Sequence, residues 1–596
     1  MPVQYLWVLN TSQAMRLHTR LRYAPTSVQR EERPGGEILL RSTQPLQPYA
    51  RAVGDWLVRW NERAPERTFL AEKKGEGWRR LTYRDALSSA RRIGQALLDR
   101  GLGAERPVAI LSDNSVDHAL LALGAMHAGV PVAPISPAYS LMSKDFAKLK
   151  YIFDLLKPGL VFAAEPGKFA PALAAVGASS TPVSELLETE PGVALETAFA
   201  SLIPDTVAKI LFTSGSTGMP KGVINTQRML CSNQQSWAQI WPFLEDRPPV
   251  LCEWLPWNHT FGGNGTFNAV LRNGGTLYID GGKPVPGLVE TTVKNLREIS
   301  PTLYFNVPRG FDLLLPFLEA DEELRKNFFR ELDVVFYAGA ALPQNLWERI
   351  ENLAIQEKGG RLAMLSAWGS TETAPMATCV HMPIERAGIV GGPTPGCEVK
   401  LVPAGSKLEA RVRGPNVTPG YFRRDDLTKA AFDEEGFYRI GDAMKFFDPA
   451  APEKGLVFDG RVAEDFKLTT GTWVHPGAIR VKLIAAANPL VQDAVITGQD
   501  RNEIGALVFL NPAAVRDVSA TEVRKKLSGA LAVLAKEGGS STHPARLLVM
   551  AEPPQIDGNE ITDKGYINQR AVLERRAAMV ELLYSNSPDV VTAGRE

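Results

Sequence analysis

The sequence predicts a mixed α/β protein with a large N-terminal domain and a smaller C-terminal domain. Strands alternate with helices in the N-terminal half, and short β-like pieces broken by Gly and Pro follow near residues 403–440. The chain has 596 residues, more than one hydrophobic core usually serves. The early strands are continuously apolar, as in parallel sheets covered on both faces. We therefore expect helices layered around a mainly parallel sheet, a small β subdomain, and a mobile α+β C-terminal domain.

The first clear helix is predicted over residues 81–100, where apolar residues recur at helical spacing. Thr82 and Asp85 are spaced to form a capping box at its start. An apolar strand follows at 107–112, and a second helix is predicted over 116–129. This order is the beginning of a strand–helix–strand layer.

The alternation continues with a strand that ends at Ser136 and a helix and strand over residues 151–165. The stretch His118–Ser143 contains no Asp, Glu, Lys or Arg. Its three prolines would nevertheless break a spanning helix, and Gly129 would end one. We predict a buried helix and strand here and no membrane segment.

Three regions are expected along the chain. The first thirty residues carry four arginines and no acid, as in a transit peptide or an unstructured leader. We expect residues 1–45 to be a poorly ordered leader. A boundary near residues 459–465 then separates an N-terminal domain, 46–459, from a C-terminal domain, 460–596.

Composition narrows the possible partners. Lys+Arg and Asp+Glu both number 66, so no overall field favours nucleic acid or an anionic membrane. The four cysteines form no CxxC pair, which indicates a reducing compartment and a cytoplasmic protein. Small molecules are the expected partners.

The run LFTSGSTGMPKGV, residues 211–223, has the composition of a phosphate loop. A Walker loop needs G-x-x-x-x-G-K-[ST], but here Gly222 follows Lys221 and Pro220 precedes it. Lys221 can still neutralise phosphate charge, and a strand at 207–212 leads into the loop. A flexible surface loop would need neither feature. The amides and hydroxyls expected to wrap phosphate oxygens are those of Thr213, Ser214, Gly215, Ser216, Thr217 and Gly218.

This run resembles the TSGSTGxPKG signature of the adenylate-forming superfamily, which includes acyl-CoA synthetases, luciferases and peptide-synthetase adenylation domains. Further segments resemble that superfamily's motifs in the same order: FYAGAALP (336–343), AWGSTETAP (367–375), FYRIGDA (437–443) and DGRVAEDFKLTTGTWVHP (459–476). The resemblance extends roughly from residue 50 to residue 575.

Four segments resemble the sequences of bacterial feruloyl-CoA synthetases more closely than those of other members of the superfamily. They are LRSTQPLQPYA, APISPAYSLMSKDFAKL, EWLPWNHTFGGN and ITDKGYINQRAVLERRA. The resemblance implies that a carboxylate attacks the α-phosphate of ATP, giving acyl-AMP and pyrophosphate, and that coenzyme A then displaces AMP. ATP, Mg²⁺ and coenzyme A are the implied cofactors, and ferulate is the implied acid. Another aryl or fatty acid, a carrier-protein acceptor, and a non-catalytic nucleotide-binding protein stay open, as does a homodimer.

The resemblance assigns roles around the triphosphate and ribose. Glu372 is implied as the Mg²⁺ ligand, a hard oxygen for a hard cation. Thr371 is implied to hold the α-phosphate, and Asp442 to accept both ribose hydroxyls with Arg461 beside it. Lys564 is implied as the catalytic lysine contacting the α-phosphate and the carboxylate.

The adenine site is implied to lie in the neighbouring motifs. Trp368 is expected to cover the adenine, with a buried core tryptophan as the alternative. The remaining residues expected to contact the nucleotide are Gly339, Ala340, Ala341, Gly369 and Ser370.

His259, in WNHTFGG, is implied to lie between the acyl pocket and the thiol tunnel, where it gates or orients the substrate. The expected pocket walls suit a flat ring, with aromatic faces, small residues and one amide. These are Phe261, Gly262, Asn264 and Phe305.

Two segments depart from the superfamily's pattern. Relatives place a glycine before the catalytic lysine, whereas Gly565 follows Lys564 here. In the hinge, Ala463 stands where relatives carry Asp or Lys. Lys467 and Gly471 are expected to face the coenzyme A tunnel after a domain rotation whose pivot the sequence leaves open.

Overall fold

The computed structural model describes residues 21–214, 218–539, 541–562, 565 and 567–593. The first strands are β1 Val28–Glu32, β2 Ile38–Ser42, β3 Thr68–Lys74, β4 Gly77–Thr82, β5 Val108–Leu111, β6 Val132–Ile135, β7 Leu160–Ala163, β8 Val207–Thr213, β9 Lys221–Thr226, β10 Val250–Glu253, β11 Thr276–Ile279, β12 Leu303–Asn306 and β13 Val334–Tyr337. The later strands are β14 Ala363–Gly369, β15 Met376–Cys379, β16 Ile389–Pro393, β17 Glu398–Ala404, β18 Lys407–Arg413, β19 Tyr438–Phe446, β20 Leu456–Arg461, β21 Phe466–Lys467, β22 Trp473–Val474, β23 Val491–Thr497, β24 Gly505–Leu510, β25 Arg546–Val549 and β26 Val590–Thr592.

Helices lie between these strands. The first are α1 Val53–Arg63, α2 Tyr83–Asp99, α3 Val116–His127, α4 Ala138–Leu141, α5 Ala147–Leu156, α6 Pro166–Ala175, α7 Val183–Leu186, α8 Val193–Ala200, α9 Gln227–Ile240, α10 Phe243–Asp246 and α11 Phe267–Asn273. The later ones are α12 Val289–Glu298, α13 Pro308–Ala320, α14 Glu322–Arg330, α15 Gln344–Lys358, α16 Asp425–Ala431, α17 Pro476–Ala486, α18 Pro512–Val515, α19 Ala520–Glu537, α20 Gln569–Arg575 and α21 Ala577–Leu583.

The predicted strand–helix layer is confirmed. Strands β7, β5, β6 and β8 run parallel, and β9 joins them antiparallel. The predicted cap of α2 is also present, because the Thr82 hydroxyl accepts a hydrogen bond from the Asp85 amide and donates one to its carboxylate. Short-range signals were therefore sufficient for this part of the fold.

The β-like pieces near residues 403–440 belong to a larger sheet. Within the described residues, its strand order is β1-β2-β17-β18-β19-β20-β16-β15-β14-β13-β12. Strands β12, β13 and β14 are parallel, whereas the pairs from β14 to β1 are antiparallel. The predicted β subdomain is therefore continuous with a parallel layer.

The expectation of a poorly ordered leader over residues 1–45 is wrong for residues 28–42. Strand β1 pairs with β2, and β2 pairs with β17, where Leu40 faces Val399. Leu39 and Leu40 are fully buried. This segment thus forms an edge of the large sheet.

The C-terminal residues form a sheet of their own in the order β23-β24-β25-β26. A buried cluster between Phe466 and Val591, built largely on this sheet, α17 and α19, contains no residue from the N-terminal sheets. The structure therefore has the expected larger and smaller parts, whereas the exact boundary at 459/460 stays a prediction. No helix among the described residues has the length and apolarity needed to cross a membrane.

Candidate active site

The predicted phosphate loop lies between two paired strands. Thr213, at the end of β8, is the register partner of Lys221, at the start of β9. Gly218, between them, has a φ of +93°, and a Cβ there would lie 2.5 Å from Asn559 Nδ2. Only glycine meets both conditions without strain. Ser214 is exposed, and the predicted phosphate ligands Gly215, Ser216 and Thr217 lie outside the described residues.

Tyr421 connects the phosphate loop to the predicted metal ligand. Lys221 Nζ lies 3.3 Å from the Tyr421 hydroxyl and 4.6 Å from the centre of its ring. The same hydroxyl donates a 3.0 Å hydrogen bond to Glu372 Oε1. The Tyr438 hydroxyl lies 3.3 Å from the Tyr421 hydroxyl. One phenol therefore holds the cation and the carboxylate beside each other.

Electrostatics keep that phenol a donor. Burial, followed by the negative charge of Glu372, raises the pKa of Tyr421 above its ordinary value. Burial likewise raises the pKa of Tyr438. Both hydroxyls keep their protons at neutral pH and can donate to Glu372 or to a phosphate oxygen.

Glu372 lies in a tight turn directly after β14. Glu372 is 6% exposed, and its neighbours Thr371 and Thr373 in the short 3₁₀ turn are also buried. Gly369 must stay glycine, since a Cβ there would lie 1.9 Å from the Pro375 carbonyl oxygen. The Ser370 hydroxyl is buried and has no hydrogen-bond partner among the described residues. The turn therefore places one carboxylate and three hydroxyl groups within four consecutive residues.

Asp442 lies in a half-satisfied polar site. Trp368 Nε1 donates a 2.8 Å hydrogen bond to its Oδ2, whereas the buried Oδ1 has no hydrogen-bond partner among the described residues. Arg461, its register partner on β20, has Nε 3.6 Å from Oδ1, but that side chain is 66% exposed. The Arg461 contact is an ion pair too long to count as a hydrogen bond.

Burial raises the pKa of Asp442, although Arg461 and the Trp368 hydrogen bond favour its ionised form. A buried carboxylate oxygen without a donor is costly unless a ligand supplies one. A pair of hydroxyl donors would satisfy it.

The predicted adenine segments lie at one edge of the parallel strands. Strands β12, β13 and β14 are in register, so their carboxyl ends meet at the same edge. Gly339 has a φ of +85° and, with Ala340 and Ala341, is exposed after β13. Trp368 is buried at the end of β14. Ligands in open α/β sheets bind at this edge.

Trp368 belongs to a buried cluster with Val399 and Tyr438 while its nitrogen reaches Asp442. The structure therefore gives this residue both features weighed in the sequence, a core environment and a place beside the candidate nucleotide site. Covering of the adenine stays a prediction.

Three of the four residues of the predicted acyl wall lie on a π-helical turn, Phe261–Thr266, a geometry common at functional sites. The fourth, Phe305, lies on β12. The rings of Phe261 and Phe305 are 6.3 Å apart, and both pack against Phe336. His259 Nδ1 accepts a 3.3 Å hydrogen bond from the Phe261 amide. A Cβ on Gly262 would lie 2.4 Å from the Leu255 carbonyl oxygen. Backbone packing thus requires that glycine.

Asn264 is fully buried, and its amide nitrogen donates to Asn225 Oδ1 at 2.8 Å and Thr260 Oγ1 at 3.1 Å. Its nitrogen is therefore already used within the protein. Its Oδ1 has no hydrogen-bond partner within the described part of the chain. A substrate hydroxyl could meet only that oxygen.

Two buried ionisable residues, absent from the sequence predictions, hold the same turn. Lys209 Nζ donates a 2.7 Å hydrogen bond to the Gly263 carbonyl, and Thr266 Oγ1 donates one of 2.8 Å to Glu253 Oε1. Burial lowers the pKa of Lys209 to about 7 and raises the pKa of Glu253 to about 8. The turn is therefore held at Gly263 and at its last residue, Thr266, by two groups whose neutral forms are favoured by burial.

Two of the C-terminal candidates lie in β21 and in the turn that follows it. Lys467 is exposed, with Nζ 4.8 Å from the centre of the Trp473 ring. Gly471 has a φ of +78° in the connection between β21 and β22. Their contact with coenzyme A stays a prediction. Lys564 lies outside the described residues.

No group of three or more His, Cys, Asp or Glu side chains suited to a metal occurs among the described residues. Glu372 is a single buried carboxylate near a lysine. Mg²⁺ in nucleotide enzymes commonly takes one or two carboxylates and completes its shell with phosphates and water. The donor set therefore fits a cation that arrives with a triphosphate.

Tyr421, Tyr438, Lys209 and Glu253 were all missed in the sequence. Tyr421 lies in TPGYF and Tyr438 in FYRIG. Both segments have strand-like sequences, and neither indicates that its tyrosine hydroxyl would reach the candidate site. Lys209 offered a signal, since it interrupts the otherwise apolar run VAKILF. A charged residue in a buried strand needs a partner or a reason.

Comparison with known proteins gives the class of the molecule. The family model described as AMP-binding enzyme matches residues 57–422, and that of the AMP-binding enzyme C-terminal domain matches residues 465–588. The chain belongs to the AMP-binding enzyme family, and the expected membership of the adenylate-forming superfamily is confirmed.

Curated relatives include several ligases. The chain is 27% identical over 476 residues to a methyl-dioxo-octahydro-indenyl-propanoyl:CoA ligase of Mycobacterium tuberculosis, covering 76% of this chain and 87% of that protein. It is 28% identical to a probable CoA ligase of Humulus lupulus, covering 52% and 51%. It is 25% identical to a carboxylic acid reductase of Segniliparus rugosus, covering 64% and 33%. Apart from the Mycobacterium tuberculosis ligase, the chain spans between 5% and 57% of the length of the first relatives it matches.

Solved structures share the fold. An anthranilate CoA ligase in complex with anthranoyl-AMP superposes with a TM-score of 0.71 at 19% identity, covering 91% of this chain and 99% of that one. The adenylation domain of a carboxylate reductase from Mycobacterium chelonae gives 0.69 at 22% identity, covering 90% and 92%. These likenesses confirm the predicted fold class.

Proposed function

We propose that this protein is an ATP-dependent acid–thiol ligase that converts ferulate and related hydroxycinnamates to their coenzyme A thioesters. The carboxylate oxygen attacks the α-phosphorus of ATP, and the bond to the β-phosphate breaks, releasing pyrophosphate. The thiol of coenzyme A then attacks the acyl carbon of acyl-AMP, and AMP leaves while the thiol proton passes to solvent. Membership of the family supports the ligase class. The four feruloyl-CoA synthetase-like segments support the acid.

The observation that carries nucleotide binding is the buried Oδ1 of Asp442, which has no hydrogen-bond partner among the described residues. Ribose hydroxyls would supply the missing donors, while Trp368 holds the other oxygen. A carboxylate kept half-satisfied costs stability in the free protein. That cost is explained if a nucleotide is the usual occupant.

Glu372, Lys221 and Tyr421 support phosphate and magnesium binding. When bound, Mg²⁺ would neutralise charge on the β- and γ-phosphates and leave pyrophosphate a better leaving group. Glu372 would hold the cation, and Lys221 would pair with a phosphate. The Tyr421 hydroxyl would fix the distance between those two side chains, as it does without ligand.

The π-helical turn supports an aromatic acid. Phe261 and Phe305 provide ring edges and faces, and His259 lies directly before the turn. A flat hydroxycinnamate ring packs well against such a wall. Coenzyme A is proposed as acceptor, with Lys467 near its path, and the cytoplasm as the place of action.

A panel of acids tests the proposal. The purified protein with Mg²⁺, ATP and coenzyme A should release pyrophosphate faster with ferulate than with benzoate or palmitate, and thioester absorbance should appear with it. Faster turnover of another acid would keep the ligase and replace the substrate. ATP binding without acid-dependent pyrophosphate release would instead support a non-catalytic nucleotide-binding protein. Turnover dependent on a carrier protein, with no response to coenzyme A, would replace the acceptor.

A further inference from the structure

The two parts of the chain make direct contact at a loop. The loop, residues 555–560, belongs to the C-terminal part and lies against the segment 143–148 at the start of α5. Ser143 Oγ donates a 2.7 Å hydrogen bond to Asp557 Oδ1, and the Lys144 amide donates one of 2.9 Å to Oδ2. Both oxygens of one carboxylate are thus bound by the other part of the chain.

Further contacts reinforce this pair. Lys148, itself buried, donates a 2.5 Å hydrogen bond from Nζ to the Ile556 carbonyl oxygen. The Ile556 side chain is buried in the N-terminal cluster that contains Leu149 and Ile152. Apolar burial and three polar contacts therefore act at one place.

The loop is also rigid in its own part. The Gln555 amide donates to Glu560 Oε2, and the Glu560 amide donates to the Gln555 carbonyl. Arg576 binds both oxygens of Glu560. Burial opposes ionisation of Glu560, but the Arg576 and Gln555 hydrogen bonds outweigh it and hold its pKa below the ordinary value. A braced loop can transmit docking to the residues that follow it.

The docked loop reaches the phosphate loop. The Asn559 side chain packs over Gly218 so closely that a Cβ at that position would collide with it. Ile561, directly after the loop, forms an antiparallel bridge with Ile567. The docking therefore fixes this part of the C-terminal domain beside the candidate triphosphate site.

From these contacts we infer that Asp557 is a positioning residue: its docking on Ser143 and Lys144 holds the C-terminal domain against the phosphate loop for adenylation. This inference rests on the proposed ligase function. It separates the two half-reactions, because attack by coenzyme A on acyl-AMP no longer involves the β- and γ-phosphates. Loss of the docking contacts slows acyl-AMP formation and spares thioester formation.

The half-reactions can be measured separately. Asp557→Ala and Ser143→Ala should lower acid-dependent pyrophosphate release about tenfold, as expected for lost hydrogen bonds to a charged group. Thioester formation from synthetic acyl-AMP and coenzyme A should stay within about twofold. Asp517→Ala, at an exposed acid in the C-terminal part, is the matched control and should change neither. Equal loss in both half-reactions, or in neither, overturns the inference.

A second variant tests the same docking in the opposite direction. All four native cysteines are buried, so Ser143→Cys/Asp557→Cys provides the accessible thiol pair. Oxidised glutathione should join the two thiols and preserve acyl-AMP formation while blocking thioester formation, and dithiothreitol should restore it. No cross-link, or a cross-linked protein that still completes the thioester step, overturns the inference. Wild-type protein that releases no pyrophosphate with any acid instead removes the proposed function itself.

Discussion

Trp368 donates a hydrogen bond of 2.8 Å to Asp442, joining two strands of the large sheet at the candidate ribose site. The bond uses one carboxylate oxygen and leaves the other for a ligand. Asp442 therefore has its orientation fixed before nucleotide binds. Such pre-organisation lowers the conformational-entropy cost of binding, because the side chain is already ordered.

Asp442→Ala should raise the KM for ATP about tenfold to a hundredfold, since hydrogen bonds to a charged group contribute about 1.5–3 kcal/mol. The wild type should also discriminate against 2′-deoxy-ATP, and the variant should lose that discrimination. Steady-state pyrophosphate release with both nucleotides measures this. Asp459→Ala, which removes a surface partner of Lys445, is the control. Undiminished discrimination in Asp442→Ala would remove the ribose role.

Trp368→Phe keeps an aromatic ring and removes the indole donor. Asp442 Oδ2 then loses its partner, and nucleotide affinity should fall about tenfold. Calorimetric titration with ATP measures the change. Trp473→Phe, at a more exposed tryptophan, should bind as the wild type does. Equal affinity in Trp368→Phe and wild type would show that the hydrogen bond does not prepare the site.

Tyr421→Phe removes the hydroxyl shared by Lys221 and Glu372. Because the lysine and the carboxylate then lose their common partner, the Mg²⁺ concentration for half-maximal pyrophosphate release should rise about threefold to tenfold. Tyr278→Phe, where the ring packs edge-on against Trp78, is the control. An unchanged Mg²⁺ dependence would mean that the hydroxyl only supports the fold.

Lys564→Ala should lower acyl-AMP formation about 10²–10³-fold, the usual effect of losing one transition-state donor. Single-turnover measurement of acyl-AMP gives the rate of that step. Lys536→Ala, the preceding lysine in the sequence, serves as the control. Normal acyl-AMP formation in Lys564→Ala would show that the lysine was wrongly assigned.

Stability should depend on pH through the two buried groups that hold the π-helical turn. Folded Glu253 keeps its proton up to about pH 8, whereas an unfolded glutamate loses it near pH 4.5. The free energy of unfolding therefore falls as pH rises through this window, by up to about 1.4 kcal/mol per pH unit. Folded Lys209 releases its proton near pH 7, against 10.5 when unfolded. Its contribution therefore rises with pH between those values.

Denaturant unfolding of Glu253→Gln and Lys209→Met across pH 5–10 separates the two effects. Glu253→Gln should flatten the acidic side of the profile, and Lys209→Met the alkaline side. Asp517→Asn, at an exposed acid, is the control. Profiles parallel to the wild type in both variants would show that neither group changes its protonation on folding.

Local sequence signals predicted what depends on near neighbours. The cap at Thr82 and the strand–helix order needed only spacing, whereas the phosphate-binding role of residues 213–221 stays a prediction. The order of the motifs pointed to Glu372 and Asp442, whose roles stay predictions. The side chains that contact the candidate site residues could not be predicted in this way. Tyr421 meets Lys221 only because a distant segment pairs with β9, and nothing near Tyr421 in the sequence indicates that.

The failed expectation at the N-terminus has a similar cause. VQREE in β1 is largely charged, and its neighbour ILLRS in β2 is only five residues long. Strand preference depends on cross-strand contacts more than on the segment itself. These residues become strands because β17 offers an edge, and that edge lies more than 350 residues away in the chain.

A recombinant protein begun at residue 46 would therefore lose more than a dispensable tail. The edge of β17 would be left with unpaired backbone N–H and C=O groups. The apolar surface now covered by Leu39 and Leu40 would be exposed to solvent. Exposed strand edges of this kind pair with other chains, and the protein then aggregates. Trimming for crystallisation or expression should stop before Val28.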